Sequence, residues 1–160
     1  MSRRLKFILN NLEDFIAAFF ITVTTILVII NIIMRYGLNS GIVWAEEAAT
    51  GCFVWSVFIG AVAVFKHRGH VGVDIVVNLL PRSVRYAVTT ATDIILVLLN
   101  SYMAYLSIIY IMNTYTKMTP VIGVSSAYIS SSVLIAFVMM TFYSIRFLWQ
   151  DFTAGGKEEK

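Results

Sequence analysis

The sequence predicts an all-α membrane protein: four transmembrane helices with a short interfacial amphipathic helix between helices 2 and 3. Three observations lead there. Four stretches, Phe15–Met34, Ala48–Phe65, Ile94–Thr116 and Val121–Ile145, contain no Asp, Glu, Lys, Arg or His. A helix needs about 20 mostly apolar residues to cross about 30 Å of hydrocarbon. Hydrophobic residues make up 59% of the chain and charged residues 13%, with a mean hydropathy of +0.81; soluble domains carry about 25% charged residues. The apolar runs are also long and do not alternate, whereas a transmembrane barrel needs short alternating segments. Backbone groups in lipid must be paired within the segment, which makes each run a helix. Residues 1–160 are read as a single integral membrane domain.

The first span is placed at about 13–36, after a charged lead-in. Arg3, Arg4 and Lys6 resemble the start of a signal peptide, but the apolar run is longer than a signal core and lacks a small-x-small cleavage site, so a retained helix is expected. Arg35 and Tyr36 sit where the span meets an interface, and an Arg there can extend its head to water. Gly37-Leu-Asn-Ser-Gly41 has the composition of a turn.

The second span is placed at about 43–65, with Trp44 at the depth of an aromatic belt. Glu46 and Glu47 lie at its start, where negative charge is favoured by the helix dipole. Their alternative role is recruitment of a partner on the outer face, with Arg35 across the turn as an ion-pair candidate. An exposed pair of that kind contributes only about 0–1 kcal/mol, which makes stability a poor reason for the cluster. Ala48, Cys52, Ser56 and Gly60 recur every four residues and form a small-residue stripe that lets another helix approach closely. That helix is either the chain's own or a partner's, and both readings stay open. Cys52 is the single cysteine; it makes no intrachain disulfide or metal site and is expected to be a packing residue.

The joint Lys66-His-Arg-Gly-His70 is basic. The segment at about 70–80 is too short to span. His70, Asp74 and Asn78 share one face and Ile75, Val76, Leu79 and Leu80 the opposite one, the pattern of a helix lying in the interface. His70 and Asp74 are its candidate anchoring residues. Pro81 stops it, and Ser83 is the expected N-cap of the next span.

The third span, at about 84–115, is the most polar. Asp93, Asn100, Ser107 and Thr114 repeat at seven residues and lie along one stripe. A carboxylate as deep as Asp93 must face protein or water, either in a seam of interhelical hydrogen bonds or in an ion or proton relay. The fourth span is placed at about 122–148, after an outer loop that includes Pro120, with a serine-rich outer half and Trp149 beyond its inner end.

Basic residues set the orientation. Arg3, Arg4, Lys6, Lys66, Arg68, Arg82, Arg85, Arg146, Lys157 and Lys160 fall on one side, Arg35 and Lys117 on the other. Both termini and the middle joint are therefore expected in the cytoplasm, with phospholipid as the chain's surroundings. The scattered basic residues carry no nucleic-acid motif. A haem-bearing bundle needs ligands within the spans, yet His67 and His70 both lie in the joint. No P-loop is present. No catalytic, cofactor or metal constellation is read in this chain.

Arg35-Tyr36, Trp44-Ala-Glu-Glu47, Phe53-Val-Trp55, Phe58-Ile-Gly-Ala61, Gly69-His70-Val-Gly-Val-Asp74 and Leu80-Pro81 follow one another in order. This set resembles the small, DctQ-type membrane subunit of tripartite ATP-independent periplasmic (TRAP) transporters, over nearly the whole chain. The start of helix 4 departs from it, because Ser125, Ser126 and Ala127 stand where the family often has Pro and aromatic residues. The resemblance implies a non-enzymatic scaffold subunit in the bacterial inner membrane, paired as a heterodimer with a large multi-span subunit that carries the substrate and sodium sites. It also implies a periplasmic substrate-binding protein that delivers an organic anion such as a dicarboxylate, a sialic acid or another sugar acid. By position, Arg35, Trp44, Glu46 and Glu47 match the outer end of the family's first helical pair. The candidate partner interface comprises these four with Ala48, Cys52, Ser56, Gly60, Asp93 and Asn100. The alternative is a self-sufficient homo-oligomeric transporter in which Asp93 couples to protons.

Overall fold

A computed structural model of the chain describes residues 11–67 and 82–158. Four helices fill them: α1 (Leu12–Gly37), α2 (Val43–Lys66), α3 (Arg82–Thr114) and α4 (Ala127–Glu158). All four contain a stretch long and apolar enough to cross a membrane. The fold is that of an all-α membrane protein. The expected interfacial helix at 70–80, with His70 and Asp74, lies outside the described residues.

Two tight loops form one end of the molecule, here the loop end. The opposite, terminal end carries the start of α1 and the end of α2. Between α1 and α2, Leu38 and Ser40 donate their backbone N–H groups to the Met34 carbonyl at 3.1 and 3.2 Å. Asn39 closes the turn at φ 49°, a left-handed conformation that Asn tolerates better than most residues. Between α3 and α4 the chain makes a small β-bridged hairpin, Met118 opposite Ser125. Gly123 turns it at φ 72°, and Thr119 N–H donates to the Val124 carbonyl at 2.8 Å.

That hairpin moves one boundary. The fourth helix starts at Ala127, not near 122, because residues 121–126 are used by the hairpin and its cap: the Ala127 N–H donates to Ser125 Oγ at 3.2 Å. Hydropathy cannot separate this turn from the helix, since no charge marks it. The third helix is already formed at Arg82, where the described residues resume, so Ser83, the expected cap, lies inside the helix.

α1 packs on α2, α2 on α4, and α4 on α3, an open row in the order 1-2-4-3. The middle pair buries 28% (α2) and 33% (α4) of its most apolar stretch, the flanking α1 and α3 only 11% each. A core of buried apolar side chains, Val62, Phe65, Ala136, Tyr143 and Phe147, lies at the α2–α4 seam, with Leu96 of α3 against it. Close approach depends on small residues: Ser132 and Ser144 of α4 are fully buried. A ladder of rings, Phe20 on Trp55 at 5.6 Å and Trp55 on Tyr128 at 5.7 Å, joins α1, α2 and α4 in the loop half. Many large apolar side chains stay exposed, as suits lipid or a partner: lipid tails are as apolar as they are and impose no penalty.

Candidate partner interface

The loop end carries a polar cluster built around Asn31, a buried residue of α1. Its Oδ1 accepts the Ile42 N–H at 2.8 Å, and its Nδ2 donates to Glu46 Oε1 at 3.1 Å. One amide thus satisfies an otherwise orphaned donor at the start of α2 and holds a carboxylate in place. Arg35 Nη1 reaches the same Glu46 oxygen at 3.3 Å, with both side chains more than half exposed. Arg35 therefore pairs with Glu46 across the turn. Sequence reasoning passed over Asn31, whose signal was a lone amide in an otherwise apolar span.

Glu47 acts differently. Its Oε2 accepts the N–H groups of Val121 and Ile122 at 2.9 and 3.3 Å. The two adjacent acids thus face different partners: Glu46 serves the α1–α2 turn, and Glu47 tethers the α3–α4 hairpin to α2. Trp44 and Tyr36 are both exposed at this end, where amphipathic rings suit a membrane–water boundary.

The small-residue stripe of α2 divides in a similar way. Ser56 Oγ donates to the Ala17 carbonyl of α1 at 3.2 Å, and a Cβ on Gly60 would stand 3.7 Å from that of Ala17. Both sit against α1. Ala48 and Cys52 instead line a cavity of about 210 Å³ that is also walled by the α3–α4 hairpin and α4. Trp55 borders it too, and its buried Nε1–H has no acceptor among the described residues.

Along α3, Asp93, Asn100, Ser107 and Thr114 are all buried, so the heptad stripe faces protein. Asn100 Nδ2 donates to the Leu96 carbonyl at 2.8 Å and to Ser144 Oγ of α4 at 3.3 Å. Ser107 Oγ bonds back to the Met103 carbonyl at 2.7 Å. Hydroxyls that bond to their own helix carry no unpaired group into the apolar interior.

A second cluster at the terminal end joins three helices, and sequence reasoning missed it. Glu13 of α1, buried, accepts Lys66 Nζ of α2 on Oε2 at 2.9 Å and Tyr143 Oη of α4 on Oε1 at 2.6 Å. The hint in the sequence was an acid at the very start of the first span. Among the described residues no three of His, Cys, Asp and Glu come together as metal ligands would.

Comparison with known proteins extends these observations. Residues 24–154 match the family model described as tripartite ATP-independent periplasmic transporters, DctQ component. A protein of Haemophilus influenzae, provisionally named a TRAP transporter small permease protein, is 27% identical over 144 residues, covering 90% of this chain and 87% of the relative. The C4-dicarboxylate TRAP transporter small permease protein DctQ of Vibrio cholerae is 40% identical over 76 residues, which is 48% of this chain but 33% of that protein. A second Haemophilus influenzae protein with the same provisional name is 38% identical over 81 residues, about half of each chain. The family is one of transporter components, which implies a non-enzymatic role, association with a large membrane subunit and a periplasmic binding protein, and a place in the inner membrane as a multi-pass protein. The chain belongs to the DctQ family, the small membrane subunits of tripartite ATP-independent periplasmic transporters.

Proposed function

We propose that this chain is the non-catalytic scaffold of a sodium-coupled TRAP transporter that imports an organic anion. In this reading it forms a heterodimer with a large membrane subunit that holds the sodium and substrate sites, and a periplasmic protein delivers the substrate. The observation that carries the proposal is the family match over residues 24–154. The polar groups support it: Asn31, Glu46, Glu47, Asn100 and Glu13 bond to other parts of this chain, and such bonds brace a helix row. A rigid row suits the fixed part of a machine whose other part moves. One relative is named for C4-dicarboxylates, which makes that class the first substrate to try. The excess of Lys and Arg at one end supports an orientation with both termini in the cytoplasm.

The test is uptake in proteoliposomes with a sodium gradient. Flux is expected only when this chain, its large subunit and the binding protein are all present. Flux from this chain alone, abolished in Asp93→Asn, would sink the scaffold reading in favour of a self-sufficient proton-coupled transporter.

A further inference from the structure

A groove of about 600 Å³ runs along α1 and α2 in the half toward the loop end. Its α1 wall runs from Thr24 to Tyr36, roughly 18 Å of helix at about 1.5 Å per residue, about one leaflet of a hydrocarbon core near 30 Å. The recess comes from Ala45 and Ala49 of α2, both buried and small, opposite Val28 and Ile32, which leave their side chains exposed to the groove's open side. The floor is mostly apolar and the mouth is charged. At the mouth, Arg35 uses Nη1 and Glu46 uses Oε1 for each other. The other guanidinium nitrogens and Glu46 Oε2 have no further protein partner among the described residues.

We propose that this groove binds a phospholipid whose head carries both a phosphate and a primary ammonium, with one acyl chain along the floor. The phosphate accepts hydrogen bonds from the free face of Arg35, and the ammonium donates to Glu46 Oε2. Charge-assisted bonds of this kind are the stronger ones. A choline head offers no N–H to the carboxylate, and a glycerol head brings net negative charge beside it. The proposal requires only that the chain lies in a bilayer; it does not depend on the transport reading, and its test uses this chain without transport.

The experiment is native mass spectrometry of the full-length chain in mild detergent, titrated with phosphatidylethanolamine, phosphatidylcholine or phosphatidylglycerol. Phosphatidylethanolamine should be retained about tenfold better than either other lipid, the scale of one charge-assisted hydrogen bond. Glu46→Gln should bring phosphatidylethanolamine down to the choline lipid, and Arg35→Gln should weaken both. Val28→Trp should fill the groove and abolish retention while helical content is unchanged; if that variant does not fold, Ile32→Trp makes the same test. Equal retention of the three lipids, or retention untouched by the tryptophan, would overturn the proposal. So would expulsion of the lipid by the large subunit coupled with failure of Val28→Trp to bind that subunit, which would make the occupant a partner helix.

Discussion

The phenol of Tyr143 donates to the carboxylate of Glu13 at 2.6 Å across 130 residues of sequence. With Lys66 on the other oxygen, it ties α1, α2 and α4 at the terminal end. Removing one member of a buried ion pair leaves the other charge uncompensated, at a cost of about 3–5 kcal/mol. Glu13→Leu should therefore lower stability in detergent by about 3 kcal/mol, and Glu13→Leu with Lys66→Met should recover much of that. Denaturant titration followed by circular dichroism measures both; a single variant as stable as the parent would show that the cluster contributes little.

The two neighbouring acids should separate in experiment. Glu47→Ala removes the acceptor for the Val121 and Ile122 N–H groups, so their hydrogen exchange should quicken. Glu46→Ala should leave those amides unchanged. Similar exchange in the two variants would contradict the division of roles. Reversal of both acids to Lys should weaken uptake by the assembled transporter without loss of membrane insertion, and unchanged uptake would remove these acids from partner docking.

Asn100 joins α3 to α4 through Ser144. Polar contacts of this sort in membranes are worth about 0.6 kcal/mol on average and up to about 2. Asn100→Leu should cost about 1 kcal/mol in the same unfolding assay, and Asn100→Leu in a Ser144→Ala background should cost less than in the parent. Asp93→Asn should be mild in reconstituted uptake, because an amide keeps the hydrogen-bonding size of the buried side chain; complete loss would point to a proton-relay role.

Gly60 faces Ala17 at a distance where one methyl fits in ordinary contact. Gly60→Ala should be tolerated or slightly stabilising, since Ala costs a helix less than Gly by about 1 kcal/mol. Gly60→Leu should push α1 away and destabilise by about 1–3 kcal/mol. Thermal unfolding of the two variants decides it, and equal midpoints would mean α1 is not held closely there.

How much was legible from sequence depended on the physics of each feature. The four helices were readable because bilayer thickness imposes a length on an apolar run, and each of them contains such a run. The stripe on α3 was readable because heptad spacing survives as a buried face. The start of α4 was not, because a β-bridged turn of Val, Ile and Ser reads as apolar helix until Gly123 is given its left-handed φ. The choice between Glu46 and Glu47 as Arg35's partner was also hidden: successive helix positions point about 100° apart, and which one meets Arg35 depends on how α2 is rotated against α1. The Glu13 cluster required knowing that α4 lies against α2, a long-range fact that no local pattern encodes.

The order 1-2-4-3 has a consequence for how the chain is made. Each of the two helix pairs that are adjacent in sequence can complete much of its internal pairing by itself: Asn31 with Glu46 in the first, Asn100 with Ser144 in the second. Each can leave the translocation machinery as a hairpin with few bare polar groups. The α2–α4 seam and the phenol of Tyr143 come last, as a latch closed only after the final helix has entered the bilayer. A nascent chain arrested before α4 should thus already protect Asn31 from solvent, while Glu13 still awaits its second partner, Tyr143.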